Sequence, residues 1–85
     1  MANTAILRKK LYFQSTHRGT KENDLVLTRF VDRHMDDFDA SGLELYQKFL
    51  NEPDHDLYAW LIKGEGNYPM EYAELVAKIR AANNV

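Results

Sequence analysis

The spacing of its apolar residues, which recur every three or four positions, constrains the fold of this chain more than any other feature. The clearest run lies between residues 27 and 38, where these positions hold Leu27, Phe30, Val31, Met35 and Phe38. Such spacing is typical of a helix with one buried face. No alternation of apolar and polar residues bounded by hairpin signals indicates a strand. The sequence therefore predicts an all-α protein.

Capping and breaking residues divide the chain into five helices. Polar residues suited to the N-cap position precede four of them, and these are Thr4, Thr20, Asp39 and Asp54. Gly19 and Pro53 are suited to ending helices, and Pro69 to starting one. We predict helices at roughly 4–17, 21–38, 40–51, 55–63 and 69–82, with fraying from Ala81 to Val85.

The same periodicity predicts which side chains form the core. Besides the run already given, the buried positions are expected to be Ile6, Leu7, Leu11, Leu43, Tyr46, Phe49, Leu50, Tyr72, Leu75, Val76 and Ile79. The fourth helix is a short apolar segment that contains Leu57, Tyr58, Trp60, Leu61 and Ile62. Since the connecting loops are short, consecutive helices must fold back on one another. The expected architecture is a compact five-helix bundle that forms one domain over residues 1–85.

Length and composition exclude several classes of protein. A chain of 85 residues forms a thin core, so a deep cleft between two lobes is not expected. The absence of cysteine excludes disulfides, thiolate metal sites and a cysteine nucleophile. No apolar run approaches the roughly 20 residues that span a bilayer, and the first residues lack the apolar core of a secretion signal. We expect a monomer, cytoplasmic in a bacterium or in the mitochondrial matrix of a eukaryote.

Charge is distributed unevenly along the chain. Residues 1–33 carry seven Lys or Arg against three Asp or Glu, whereas residues 34–63 carry two against seven. The formal net charge of −2 therefore conceals a basic and an acidic segment. A charged surface of this kind steers a partner without identifying it.

Motifs for catalysis or metal binding are weak. The stretch from Asp37 to Gly42 has the spacing that opens a calcium loop, but Lys48 stands where the bidentate Glu is required. The three histidines share no metal-ligand spacing, and no Ser lies in a nucleophile turn. There is no phosphate-binding or dinucleotide-binding motif. We therefore expect no enzyme active site, no metal and no stably bound cofactor.

The break between the first two helices is the best candidate for a functional surface. Here His17, Arg18 and Gly19 are followed by Glu22 and Asp24. Glycine leaves the backbone accessible to another chain, and opposite charges on either side can bind a partner. The neighbouring stretch Leu11–Ser15 looks like the end of a removable tag, but its apolar residues keep helical spacing and we interpret it as native.

Four stretches, in order, carry a resemblance to a known family. They are residues 8–12 (RKKLY), 17–24 (HRGTKEND), 51–54 (NEPD) and 56–61 (DLYAWL). Together they resemble the succinate dehydrogenase flavinylation or assembly factors, the bacterial SdhE type and its mitochondrial relatives. The resemblance covers about residues 5 to 80, and position 23 departs mildly from the usual pattern.

The resemblance implies a chaperone-like function. Members of this family bind the flavoprotein subunit of succinate dehydrogenase, in some bacteria that of fumarate reductase, and promote covalent attachment of FAD to it. FAD would belong to the client. The Arg-Gly-x-x-Glu element places the partner-binding surface at Arg18, Gly19 and Glu22, to which we add His17, Asp24, Arg8, Lys9 and Lys10. Arg18 and Glu22 are expected to contact polar groups of the client.

Two other functions remain open on the sequence alone. The first is an antitoxin-like protein or a general helical adaptor, which copurification of a different partner would reveal. The second is a small nucleic-acid-binding protein that uses the basic first helices, although a sequence pI near 5.8 argues against it.

Overall fold

The computed structural model describes residues 2–84, and its side chains from Thr4 onward. Within that range the chain is all-helical and contains no strand, which confirms the predicted fold class. The five helices are α1 (Ala2–Thr16), α2 (Lys21–His34), α3 (Ala40–Leu50), α4 (Asp54–Tyr58, continued by a π-helical turn at Ala59–Lys63) and α5 (Ala73–Ala82). Short 3-10 turns at Met35–Asp37 and Met70–Tyr72 precede α3 and α5.

Helix α2 ends earlier than the periodicity predicted. His34 departs from helical geometry, with φ −124° and ψ 0°, and the 3-10 turn at Met35–Asp37 replaces the last helical turn. Phe38 is already extended. The tighter turn still directs Met35 into the core and packs Phe38 against it, so an apolar spacing of three fits both kinds of helix.

Only one of the predicted helix caps acts as expected. The Asp39 carboxylate accepts a hydrogen bond from the Gly42 backbone N–H at 2.8 Å and so caps α3. Thr4 lies inside α1, which begins at Ala2. Thr20 occupies the N-cap position of α2 without a side-chain cap bond. Asp54 is the first residue of α4 rather than its cap, and its side chain has a different partner.

A single core fills the space between the helices. α2 contacts α1, α4 and α5, and α1 also packs on α3. All predicted core positions of α3 and α5 are buried. Tyr58 and Ile62 of the fourth helical segment are only half-buried, and Ile6 is wrongly predicted because it is 66% exposed. The apolar face of α1 is therefore divided, with Leu11 in the core and Ile6 in solvent.

The end of α5 is packed against the bundle, where the sequence predicted fraying. Ala82 is buried, and the Asn83 side-chain amide donates to the Val26 and Ile79 carbonyls at 3.0 and 2.9 Å. These bonds attach the C-terminal end of α5 to α2. Val85 lies outside the described residues. Among the described residues, no helix combines the length and apolar character needed to cross a membrane.

Candidate functional site

The turn between α1 and α2 presents bare backbone to solvent. α1 ends at Thr16 and α2 begins at Lys21. Gly19, in the middle of the turn, is exposed and has a φ of +97°. A Cβ built on Gly19 would meet no atom within 4 Å. Conformation rather than lack of space therefore favours glycine here, since L-residues rarely adopt positive φ.

Backbone hydrogen bonds fix the geometry of this turn. The Arg18 backbone N–H donates to the Asp24 carboxylate at 2.8 Å, across the turn. The Asp24 N–H in turn donates to the Thr20 carbonyl at 2.9 Å, which is the first hydrogen bond of α2. The preceding N–H groups of α2 have no carbonyl partner within the helix. Asp24 thus helps to shape the turn and is only half-exposed.

The Arg18 side chain points back into the bundle and joins two loops. Its Nε donates to the Asp54 carboxylate at 2.7 Å, its Nη2 donates to the Glu52 carbonyl at 3.1 Å, and its Nη1 donates to the Leu50 carbonyl. Only 14% of the side chain is exposed. We call this set of bonds the Arg18 bridge. It attaches the α1–α2 turn to the α3–α4 turn.

A buried amide supports the same junction. Asn23 is completely buried and donates to the Asp54 carbonyl at 3.0 Å. Burial acts to raise the pKa of the Asp54 carboxyl. The hydrogen bond and charge of Arg18, helped by hydrogen bonds from Thr20 and Asn23, outweigh burial and hold that pKa below its usual value. Asp54 is therefore ionised in the folded protein at neutral pH.

The groups left for a partner lie around Gly19. His17, Lys21 and Glu22 are exposed. The His17 ring stacks on Phe13 with 4.3 Å between ring centroids, and its Nδ1 lies 2.8 Å from the Thr16 hydroxyl. The Glu22 carboxylate has no hydrogen bond or ion pair to any residue that the structure describes. We call His17, Gly19, Lys21 and Glu22 the Gly19 surface.

The basic residues of α1 separate into two groups. Arg8 is half-buried and its Nη2 donates to the Phe38 carbonyl at 2.6 Å, which ties α1 to the loop before α3. Lys9 and Lys10 are exposed. The structure thus brings His17, Gly19 and Glu22 together and leaves the two lysines on the adjacent helix. It directs the side chains of Arg8 and Arg18 inward.

Sequence reasoning overlooked the residues that hold the Gly19 surface in place. Asp54 was interpreted as a helix cap and Asn23 as a mild departure from a pattern. The sequence signal that could have indicated them is the joint occurrence of the Arg-Gly element and the stretch 51–54. The Arg18 bridge explains this signal, because it joins the two stretches in space. No group of His, Asp and Glu side chains suited to a metal ion occurs within residues 4–84.

Comparison with known proteins places these features in a family. Residues 9–83 match the family model Sdh5, described as flavinator of succinate dehydrogenase. A protein of Debaryomyces hansenii named succinate dehydrogenase assembly factor 2, mitochondrial, is 40% identical over 65 residues, which cover 76% of this chain and 46% of that protein. The protein of the same name from Dictyostelium discoideum is 38% identical over 73 residues, covering 86% of this chain and 51% of that protein.

The match includes both loops that the Arg18 bridge joins, and the stretch 11–15 as well. This chain spans about half the length of the curated relatives it matches. No solved structure matches significantly. The family model nevertheless covers nearly the whole chain. This protein therefore belongs to the Sdh5 family, the flavinators of succinate dehydrogenase.

Proposed function

We propose that this protein is an assembly factor that binds the flavoprotein subunit of succinate dehydrogenase and promotes covalent attachment of FAD to it. Membership of the flavinator family supports the client and the reaction. The structural observation that carries the proposal is the exposed, positive-φ Gly19 beside a Glu22 carboxylate that has no partner among the described residues. Such a surface is suited to binding a protein rather than to catalysis.

The Gly19 surface offers three kinds of contact at once. Gly19 allows the backbone of a client to approach closely, because no side chain stands in the way. The Glu22 carboxylate accepts hydrogen bonds from the client. The N–H groups in the first turn of α2, which a helix leaves without a carbonyl partner of its own, can donate to client carbonyl or carboxylate oxygens. A client surface that binds here must therefore fit closely against Gly19 and must offer polar groups to the Glu22 carboxylate and to the N–H groups of α2.

Arg18 has a different role from Glu22 in this proposal. All three of its side-chain nitrogens bond within the chain, to Leu50, Glu52 and Asp54. We therefore assign Arg18 as a positioning residue that holds the turn in its binding geometry. The expectation that it contacts the client directly is replaced by this indirect role, and Asp24 positions the turn in the same way.

The proposed action is a shift of the client between conformations. The FAD and the residue to which it is attached belong to the client, and the flavin itself supplies the chemistry of bond formation. A factor that binds one immature conformer more tightly raises its population. If that conformer brings the flavin and its target together, proximity accelerates attachment. The factor needs no stably bound cofactor for this.

Flavin fluorescence of the denatured client tests the proposal. The flavoprotein subunit is produced with FAD in the presence and in the absence of this protein, and covalently bound flavin is read in a denaturing gel. We expect a several-fold stronger signal with the factor present. An equal signal in both samples, with the factor folded and in excess, would refute the proposed function. The same assay with the fumarate reductase flavoprotein tests the second expected client.

A further inference from the structure

We infer that the outward face of α1 is a second contact area for the same client, one that accepts an acidic segment carrying an apolar side chain. This inference rests on the proposed function, because it specifies the chemistry of the client surface. The face consists of Ile6, Lys10, Phe13 and His17, which we call the α1 outer stripe. Lys9 lies on its flank.

Two large apolar side chains stand in solvent on this stripe. Ile6 is 66% exposed and Phe13 is 63% exposed. Positions 6, 10 and 13 are separated by four and three residues, so they share one face of α1, and His17 follows directly after the end of the helix. The Phe13 ring stacks on the His17 ring, a contact that restricts its orientations. An aromatic side chain ordered before binding loses little entropy in the complex, which suits it to anchor a partner.

The charge that α1 itself contributes around these apolar groups is positive. The first acidic residue of the chain is Glu22, so α1 carries no carboxylate of its own. Lys9 and Lys10 are exposed and form no ion pair with any described residue. The Asp32 carboxylate, which faces α1 from α2, accepts a hydrogen bond from the Tyr12 hydroxyl at 2.7 Å. Asp32 and Asp36 line a cavity together with Lys9, whereas Lys10 lies on the stripe itself and favours an acidic segment on the partner by electrostatic complementarity.

The stripe is continuous with the Gly19 surface. His17 belongs to both. A shallow cavity of about 290 Å³ lies beside the Phe13–His17 stack, and Gln14, Arg18, Leu50 and Asn51 complete its lining. One client surface can therefore cover the stripe and the Gly19 surface together, with a side chain of the client in this largely polar cavity.

A lipid membrane is the less favoured occupant. Recognition of anionic lipid typically uses clusters of about four to eight Lys or Arg. The stripe and its flank offer two lysines, and the opposite face of α1 is packed in the core through Leu11. The exposed apolar area is thus too small for stable insertion but sufficient to anchor a protein segment.

Binding kinetics of the purified FAD-loaded flavoprotein subunit test the apolar part. We expect Phe13→Ser to weaken binding about tenfold through faster dissociation, with little dependence on salt. Met70→Ser is the matched control, since Met70 is 86% exposed but lies outside α1, and it should bind like the unchanged protein. Circular dichroism confirms that both variants remain helical.

The same measurement tests the charges. We expect the double variant Lys9→Glu/Lys10→Glu to associate about tenfold more slowly at low ionic strength and to approach the unchanged protein in about 0.5 M salt. Lys63→Glu reverses an exposed charge elsewhere and serves as the control. The different salt responses separate the apolar contact from the electrostatic one.

Three outcomes would overturn the inference. If Gly19→Arg abolishes binding while Phe13→Ser and the lysine variant bind normally, the stripe is no contact area but the proposed function stands. If the unchanged protein does not bind the flavoprotein subunit, both fall. If the stripe variants lose sedimentation with vesicles of about 30% anionic lipid yet bind the client normally, the stripe is a lipid surface.

Discussion

Gly19 and Glu22 are the individual residues on which partner binding is expected to depend most directly. Gly19 combines positive φ with open space, so its substitution introduces strain without a clash. Glu22 is exposed and unpaired among the described residues, so its substitution breaks no hydrogen bond or ion pair with them. At both positions, loss of binding can therefore be separated from loss of stability.

Replacement of Gly19 by arginine should abolish client binding while the protein stays folded. The backbone strain costs about 1–2 kcal/mol, against a typical domain stability of about 5–15 kcal/mol. The long side chain would occupy the position of the approaching client backbone. Pull-down of the flavoprotein subunit measures binding, and circular dichroism measures folding.

Gly19→Ala is the matched control because it creates similar backbone strain with a small side chain. It should retain most of the binding that Gly19→Arg loses. If Gly19→Arg still captures the flavoprotein subunit, the Gly19 surface is not where the client binds. If both variants lose binding equally, backbone geometry rather than close approach is the property that matters.

Replacement of Glu22 by alanine should impair covalent FAD incorporation with little effect on stability. A carboxylate in the first turn of a helix contributes about 0.3–1 kcal/mol through the helix dipole, so the melting temperature should fall by only a few degrees. Glu44→Ala removes another exposed carboxylate, on α3, and should leave incorporation unchanged. Unfolding of the Glu22 variant would instead indicate a structural role.

At the scale of elements, the α1–α2 and α3–α4 turns behave as one unit. The Arg18 bridge supplies three bonds between them, and Asn23 supplies a fourth from α2. Lysine cannot replace the planar, multiply donating guanidinium in such a junction. The conformation of the Gly19 surface is therefore determined partly by a loop more than thirty residues away in the chain.

The Asp54→Asn variant should be less stable than the unchanged protein at neutral pH. It removes the carboxylate that pairs with Arg18 and leaves a largely buried guanidinium without its counter-charge. Because the folded-state pKa of Asp54 is lowered, its stabilising contribution is complete above the unfolded-state value of about 3.9. The contribution is lost as pH falls through the lower folded-state pKa.

Urea unfolding from pH 7 down to pH 2 measures this dependence. The difference between the unchanged protein and Asp54→Asn should be largest at neutral pH and should shrink in acid. Glu71→Gln is the control, because the Lys48–Glu71 pair is exposed and such pairs contribute little. A difference that stays constant with pH would show that the Arg18–Asp54 charge pair does not stabilise the fold.

The sequence predicted helices well and the contacts between their ends poorly. Repeating apolar positions in α2, α3 and α5 identified nearly all of their buried side chains, because one face of each helix packs on the core. The prediction for Ile6 was wrong because apolar residues keep helical spacing along α1, whereas Leu11 lies in the core and Ile6 in solvent. Local patterns also could not show that Arg18 reaches Asp54, because that contact depends on how α1 and α3 are placed in the bundle.

At the scale of the whole molecule, one thin core supports the Gly19 surface, whose residues are themselves exposed. Buried side chains of all five helices meet in one cluster. The Gly19 surface lies at the edge of that cluster, and the Arg18 bridge and Asn23 connect it to the α3–α4 turn and to α4. Substitutions in the core should therefore lower the stability of the protein, whereas substitutions in the Gly19 surface should lower its affinity for the client.

Truncation of a core residue should reduce client binding only as far as it unfolds the protein. Leu27 is completely buried in α2, and Leu27→Ala should cost about 2–5 kcal/mol. At temperatures where the variant remains folded, its affinity for the flavoprotein subunit should equal that of the unchanged protein. Urea unfolding and binding measured at 10 and 37 °C check this, and a loss of affinity in the fully folded variant would contradict it.

The guanidinium that ties residue 18 to the Leu50–Asp54 loop also has a consequence for genetics. Harmful substitutions in that loop would mimic substitutions in the Arg-Gly element, because both kinds of substitution break the Arg18 bridge. Screens for lost succinate dehydrogenase assembly should recover both groups with one phenotype. Second-site substitutions that restore function to a variant in one stretch are expected to occur in the other stretch.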